Sequence, residues 1–419
     1  MFSGNFLAAL HARSGSHRPS PQVSAFCSFP HGRPRQRILA ATNASMMKIV
    51  HLSTGLNPGG AERQLRNLVT ASKPQRFRHV IISMLDRGLV GDQLAADGFE
   101  VHALEMRSGI PSPSALPKLV RLLRQIQPDI LQCWMYHANL LGLLAGKLVG
   151  VPAIIWGIRA SNPRFGNLRT LTGCVVKVCS WLSRYPDCVV VNSRNGRARH
   201  RRWGYCDAKL RVIPNGFDVS EFKPDPEGRR GVRAELRVGE GEILIGLIAR
   251  FEKMKDHGTF IRAARIISRC EPRTKFLLAG QGIDRSNEAL WRMLVAAGMQ
   301  DRVHLLGRRS DVARVMAALD IATLTSWGES FPNVVGEAMA CGVPCAATDS
   351  GDTAEIIGDA GRVVPIRDPE ALARAWEELI RIGPAGRRAL GERARAWVIE
   401  NFSVEKLTQR YEDLYEEIG

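Results

Sequence analysis

The chain has 419 residues, 45% of them hydrophobic and 24% charged, with 39 Gly and 22 Pro. That balance excludes a disordered or collagenous chain, and at about 150 residues per domain the length suits two or three domains. Lysine and arginine outnumber aspartate and glutamate by 58 to 41, a formal net charge of +17, which points to an anionic ligand or surface as partner.

Residues 1–45 contain no acidic residue, carry Arg13, Arg18, Arg33, Arg35 and Arg37, and show no hydrophobic period. Such a stretch suits an organelle transit peptide or an extension that folding does not need. The second is favoured, because Met47-Lys48-Ile49-Val50-His51-Leu52 reads as the first strand of a domain. The basic excess survives without those five arginines. From there, apolar runs at 47–53, 79–84, 100–104, 129–133, 153–156 and 187–191 read as buried strands. Helical patterns near 60–72, 114–126, 138–149 and 168–184 lie between them. Ala138 to Ile158 is long enough to cross a membrane and carries only Lys147, but Gly150 and Pro152 divide it into a helix and a strand.

Arg211 to Arg230, rich in Pro, Gly and Asp, reads as a connection. A second series follows, with strands at 243–249, 275–279, 302–306, 320–324, 343–347 and 362–364. Its helices lie near 257–269, 287–297, 311–318, 334–341 and 369–381. The tail, 385–417, is amphipathic, with Leu407, Tyr411 and Leu414 at helical spacing, and can pack on either domain. The expected fold class is α/β, two doubly wound domains facing across a cleft. Their expected bounds are 46–210 and 211–395, with a carboxyl-terminal helix over 396–419. Nine cysteines without a CxxC pair suit buried thiols in a reducing compartment, not a zinc site or a disulfide framework.

Three segments carry chemistry. Gly55-Leu56-Asn57-Pro58-Gly59-Gly60-Ala61-Glu62 follows the first strand and opens a helix, where backbone N–H groups can approach an anion. A tight turn explains the glycines equally well, and no Gly-Lys-Ser/Thr follows, so this is not a Walker A loop. Arg250 and Lys255 flank a strand end and the next helix start, which suits a diphosphate. Ser326 to Pro344 holds Glu329 in a small-residue loop, a helix start near Asn333 and Val334, and Glu337 in that helix. Carboxylates so placed accept hydroxyl donors from a sugar or ribose, and the helix start can receive phosphate oxygens.

The last segment resembles the Glu-x7-Glu signature of the family 4 retaining glycosyltransferases. Val212-Ile213-Pro214-Asn215-Gly216-Phe217-Asp218 with Phe222 is similar to that family's interdomain segment, and Ala249-Arg250 with Lys255 to its Gly-Arg…Lys motif. Leu278-Ala279-Gly280-Gln281-Gly282, Leu306-Gly307-Arg308 and Gly59 to Glu62 also fit. The resemblance spans roughly 47 to 410. It implies the GT-B fold, two Rossmann-like domains, with the donor on the second and the acceptor on the first. It further implies a retaining sugar transfer from a UDP- or GDP-linked donor to a lipid-linked or saccharide acceptor in envelope or exported polysaccharide synthesis. No cofactor or metal is implied.

On this reading Arg250 and Lys255 neutralise the leaving diphosphate, Glu329 holds the sugar, Glu337 the ribose, and Gly59 and Gly60 close from the other domain. Gly280, Arg308, Phe331, Asn333 and Val334 complete the donor site, and His137 stands near the reacting sugar. Ala249 departs from the family's Gly, and Gln132 to His137 holds one His where many relatives show two. A nucleotide-sugar epimerase of the same fold and a nucleic-acid-binding protein are the alternatives. No nucleic-acid signature supports the latter. Between Arg159 and Arg202 ten basic residues stand against one acid, Asp187. With Leu168, Leu171, Val175, Val178 and Leu182 at helical spacing beside Trp181, this stretch can dock on the anionic inner face of a membrane from the cytoplasm.

Overall fold

A computed structural model describes residues 46–107, 112–159 and 170–419, so the expectations for residues 1–45 and for Leu168 and Arg169 lie outside the described residues. The first sheet comprises β1 (Met47–Ser53), β2 (Phe77–Ser83), β3 (Glu100–Ala103), β4 (Ile130–Trp134), β5 (Ala153–Ile158), β6 (Cys188–Val191) and β7 (Leu210–Val212). All pairings are parallel, in the order β3-β2-β1-β4-β5-β6-β7. The second sheet comprises β8 (Ile243–Ile248), β9 (Thr274–Ala279), β10 (Val303–Leu305), β11 (Ile321–Leu324), β12 (Cys345–Thr348) and β13 (Gly361–Val364). Its order is β10-β9-β8-β11-β12-β13, again parallel throughout.

Both faces of each sheet are covered, which is why the central strands are apolar end to end. In β4, Leu131 and Cys133 face the helices Ala115–Ile126, Tyr136–Val149 and Leu171–Leu182, while Ile130 and Trp134 face Gly60–Ala71 and Val404–Ile418. In the second sheet, Leu244, Ala322 and Cys345 meet the helices Pro226–Glu235, Asn333–Ala340 and Gly383–Phe402. Ile245, Ile321 and Ala346 meet His257–Cys270 and Pro369–Arg381.

The tail helix is a first-domain helix in all but chain position. Leu407, Tyr411, Leu414 and Tyr415 are buried with Ile49, Leu65 and Ile155, so the tail shares one face of the first sheet with the helix Gly60–Ala71. The chain crosses between domains twice, side by side. Phe217 N donates to Phe402 O (2.7 Å), and Val404 N to Phe217 O (3.1 Å). The boundaries expected at 210/211 and 395/396 therefore move. β7 carries the first sheet to Val212, and Gly383–Phe402 packs whole on the second domain before Ser403 starts a new helix.

Several helices have no counterpart among the segments expected from the sequence: Gly88–Ala96, Arg194–Arg202, Pro226–Glu235 and Thr353–Ile357. Each is short, and Arg194–Arg202 (Arg-Asn-Gly-Arg-Ala-Arg-His-Arg-Arg) has too few apolar residues to show a period. Side-chain caps mark several helix starts. Ser193, Asp225, Asp256 and Asp368 each accept a backbone N–H three residues on. Asp368→Ala, which removes the 2.8 Å bond from Ala371 N ahead of Pro369, is expected to lower stability by about 1 kcal/mol in chemical denaturation. An unchanged midpoint would show that the cap contributes nothing.

The apolar stripe on Leu171–Leu182 divides. Val175 and Leu182 pack on the sheet, whereas Leu171 and Trp181 are exposed. Among the described residues no helix is long and apolar enough to cross a membrane. Five of the cysteines, Cys133, Cys179, Cys188, Cys341 and Cys345, are buried.

Candidate active site

In each sheet the strand order reverses at one point, between β1 and β4 and between β8 and β11. Crevices at such points, outside the carboxyl ends of parallel strands, are where ligands enter doubly wound sheets. The loops leaving β1, β8 and β11 are those holding Gly59 and Gly60, Arg250 and Lys255, and Glu329. The two crevices share one cleft of about 560 Å³, lined by Gly59 and Gly60 on one side and Arg250, Gly280, Gln281 and Arg308 on the other. Cavities of about 780 Å³ beside Met46 and Phe77, and about 500 Å³ beside Asp320 and Pro344, lie at the opposite strand ends, away from these loops.

Gly280 has φ +144, and a Cβ there would stand 2.2 Å from the Ala249 carbonyl oxygen. The β9 turn is thus pressed on the backbone that presents Arg250, an approach only glycine permits. Arg250 is exposed, its guanidinium 3.2 Å from Glu252. Lys255 is brought to Glu329 by an interlocked pair of loops. Thr325 Oγ1 donates to Lys255 O (2.7 Å), Trp327 N to Met254 O (3.1 Å), and Gly328 lies against the Met254 sulfur. The Lys255 Nζ to Glu329 Oε1 distance is 2.6 Å, with both side chains largely buried.

The helix Asn333–Ala340 starts after Pro332 with no side-chain cap; Val335 N donates to Pro332 O (3.2 Å), and the N–H groups of Asn333 and Val334 precede it, beside Gly60, where a Cβ would be 3.5 Å from Asn333 Nδ2. Asn333 Oδ1 accepts from Asn215 in the first crossing segment (2.8 Å). Phe331, expected in the donor site, has its side chain turned inward. Its ring is buried between Phe217 and Phe402, so it offers a ligand only its backbone. His137 is half-buried in the first turn of the helix that follows the carboxyl end of β4, after Met135 at φ +74. Burial holds its imidazole below the usual range.

Glu337 is nearly fully buried and ion-paired with Arg63, which comes from the first domain. Burial pushes its carboxyl up, and the Arg63 charge opposes that. Sequence reasoning missed Arg63. One signal existed: a cation in the first turn of Gly60–Ala71 works against the helix dipole. Glu62, inside the Gly59 to Glu62 match, folds its carboxyl back to where a Gly59 Cβ would be, and sequence reasoning also missed a clasp between the domains. There, Ser193 Oγ lies 2.8 Å from Ser330 Oγ, and Ser330 donates to Asn192. Asp352 accepts the N–H groups of Arg194 (2.6 Å) and Asn195 (2.9 Å), and Arg194 also pairs with Glu355.

The described residues contain no cluster of His, Cys, Asp or Glu able to hold a metal ion. Family models match on both sides of the cleft: "Glycosyltransferase Family 4" over residues 58–221 and "Glycosyl transferases group 1" over 242–381. N-acetyl-alpha-D-glucosaminyl L-malate synthase of Bacillus anthracis is 33% identical over 190 residues, 45% of this chain and about half (49%) of that relative's length. The lipopolysaccharide core biosynthesis glycosyltransferase LpsE of Rhizobium meliloti is 27% identical over 87% of this chain and 98% of its own. The crystal structure of Anabaena HepE in complex with UDP superposes with a TM-score of 0.77 at 23% identity, covering 88% of this chain and all (100%) of that one. With matched models on both domains, paired switch-point crevices and full-length coverage of a GT-B structure, the chain belongs to the family 4, group 1 glycosyltransferases.

Proposed function

We propose that the chain is a retaining glycosyltransferase that moves a hexosyl or N-acetylhexosaminyl unit from a UDP- or GDP-linked donor to a lipid-linked or oligosaccharide acceptor in envelope polysaccharide synthesis. The observation that carries this is the Lys255–Glu329 pair on the loops that leave β8 and β11, the first of which also presents Arg250 to a cleft lined from the other domain by Gly59 and Gly60. Lys255, Arg250 and the uncapped helix start at Asn333 would stabilise the charge developing on the leaving diphosphate without a metal. Glu329 would then accept sugar hydroxyls and Glu337 the ribose. HepE with UDP and LpsE in lipopolysaccharide core synthesis support the donor class and the acceptor class. Thermal shifts against a panel of nucleotide-sugars, followed by transfer assays with and without a chelator, test the reading. NMR of the product's anomeric centre tests retention. No shift with any UDP- or GDP-sugar would overturn it.

A lipid-linked acceptor requires a membrane face. Leu144, Leu148, Leu171, Trp181 and Tyr185 are exposed on and just after two adjacent helices, with Lys147, Lys177 and Arg184 among them. Each basic residue near an anionic leaflet adds roughly 1 kcal/mol of attraction. Cosedimentation with anionic vesicles is expected, weaker at high salt, and Trp181→Ala should reduce the bound fraction at least about twofold. Equal binding to neutral and anionic vesicles, or none to either, would refute this docking.

A further inference from the structure

We propose that Arg63 is a positioning residue that keeps the Glu337 carboxylate charged and aimed while the two domains are closed, so that nucleotide affinity is tied to closure. The inference rests on the reading that Glu337 receives the ribose hydroxyls.

The geometry is an ion pair between domains. Arg63 sits on Gly60–Ala71, one turn after the glycines that line the cleft, and its guanidinium stands 5.9 Å over the Phe222 ring. Glu337 sits in the second turn of Asn333–Ala340, buried under the second domain. The other charged groups near it do not replace Arg63. Glu221, in the connecting segment, is an acid and opposes ionisation, and Cys341 ends the same helix. Arg395, from Gly383–Phe402, spends its guanidinium on the carbonyls of Val219, Phe222 and Ala340. Arg314, on Val312–Ala318, lies against Gly228 and Gly231, and Glu355, on Thr353–Ile357, pairs with Arg194.

A buried carboxyl without its cation favours the protonated form. Protonation turns one acceptor oxygen into a donor and removes the charge that strengthens acceptance, so the group holds two vicinal hydroxyls less tightly. Opening the cleft withdraws Arg63 from Glu337, because the two residues belong to different domains. The ribose contact then weakens at the moment the nucleotide must leave. The clasp at Ser330 and Asp352 closes the cleft through other residues, so removing Arg63 tests the charge effect with closure still supported.

The experiment is calorimetric titration of the full chain with UDP and with GDP between about pH 6 and pH 8, for wild type, Arg63→Gln, Arg63→Lys and Glu337→Gln. Taking the ratio of variant to wild-type Kd cancels the titration of the diphosphate itself. The ratio for Arg63→Gln is expected to rise as pH falls, by up to about tenfold per unit, and Arg63→Lys to restore most of the affinity. Glu337→Gln should bind weakly with a ratio independent of pH. A pH-independent ratio for Arg63→Gln, or tighter binding at every pH, overturns the proposal. Wild-type affinity in Glu337→Gln overturns the ribose reading and the proposal with it.

Discussion

Lys255→Ala is expected to lower turnover by about 100- to 1,000-fold, the loss typical of deleting one preorganised group that stabilises developing charge. Nucleotide affinity should change less, because the diphosphate gains negative charge as the glycosidic bond breaks, and a cation fixed there binds the transition state more tightly than the ground state. Lys255 is fixed: its backbone carbonyl is held by Thr325, and its ammonium lies 2.6 Å from Glu329. Deleting it also leaves the Glu329 carboxylate largely buried and without its cation, which costs stability. The double variant Lys255→Ala, Glu329→Gln removes that second effect and separates catalysis from folding. Steady-state kinetics with the true donor, beside calorimetry with its nucleotide, measure both. Turnover within threefold of wild type would remove Lys255 from the chemistry.

The parallel architecture was legible because the strands of a doubly covered sheet are apolar along their whole length, as in Ile130 to Trp134. The loops that matter were legible because glycine and charge interrupt such runs at strand ends, as at Gly59, Arg250 and Glu329. What escaped the sequence has physical reasons. β7 is three residues long, with only Leu210 buried, so it carries no pattern above its turn-rich surroundings. Helices such as Arg194–Arg202 rest on caps and interdomain contacts instead of an apolar face. Arg63, Asp352 and Ser330 acquire their roles only when two domains meet, and residues 63 and 337 are too far apart in sequence for any local spacing to join them. Phe331 lies inside the motif, and that its ring belongs to the core beneath the loop follows from contacts with Phe217 and Phe402 that no local spacing reveals.

Acid should destabilise this protein steeply between pH 6.5 and pH 4. His79, His200 and His257 are buried, and burial pushes each imidazole down to about 4, with His51 also well below its usual range. Two of the environments are built for the neutral ring. Trp134 Nε1 donates to His51 Nδ1 (3.2 Å), which leaves His51 Nε2 to donate to His79 Nδ1 (2.9 Å). His200 Nδ1 donates to the Gly196 carbonyl (2.7 Å), so its Nε2 accepts from the Tyr136 hydroxyl. The sign follows from proton counts. Below pH 6.5 the unfolded chain binds protons at these positions and the folded chain does not, so stability falls as pH falls, until the folded values near 4 are passed. Each such histidine removes about 1.4 kcal/mol per pH unit in that window, so the three held near 4 remove about 6 kcal/mol by pH 5. Glu337 and Asp352 work the other way, since burial raises both carboxyls and the folded state then binds protons more readily as pH falls. Their offset is smaller, because Arg63 and the N–H groups of Arg194 and Asn195 hold the charged forms. A net loss on the order of 5 kcal/mol is comparable to the whole stability of many domains. Urea unfolding at pH 7.5 and at pH 5 measures it, and His200→Gln should flatten the dependence by about 1.4 kcal/mol per pH unit. Stability that stays level across that range would mean that these histidines are not held neutral in the folded chain.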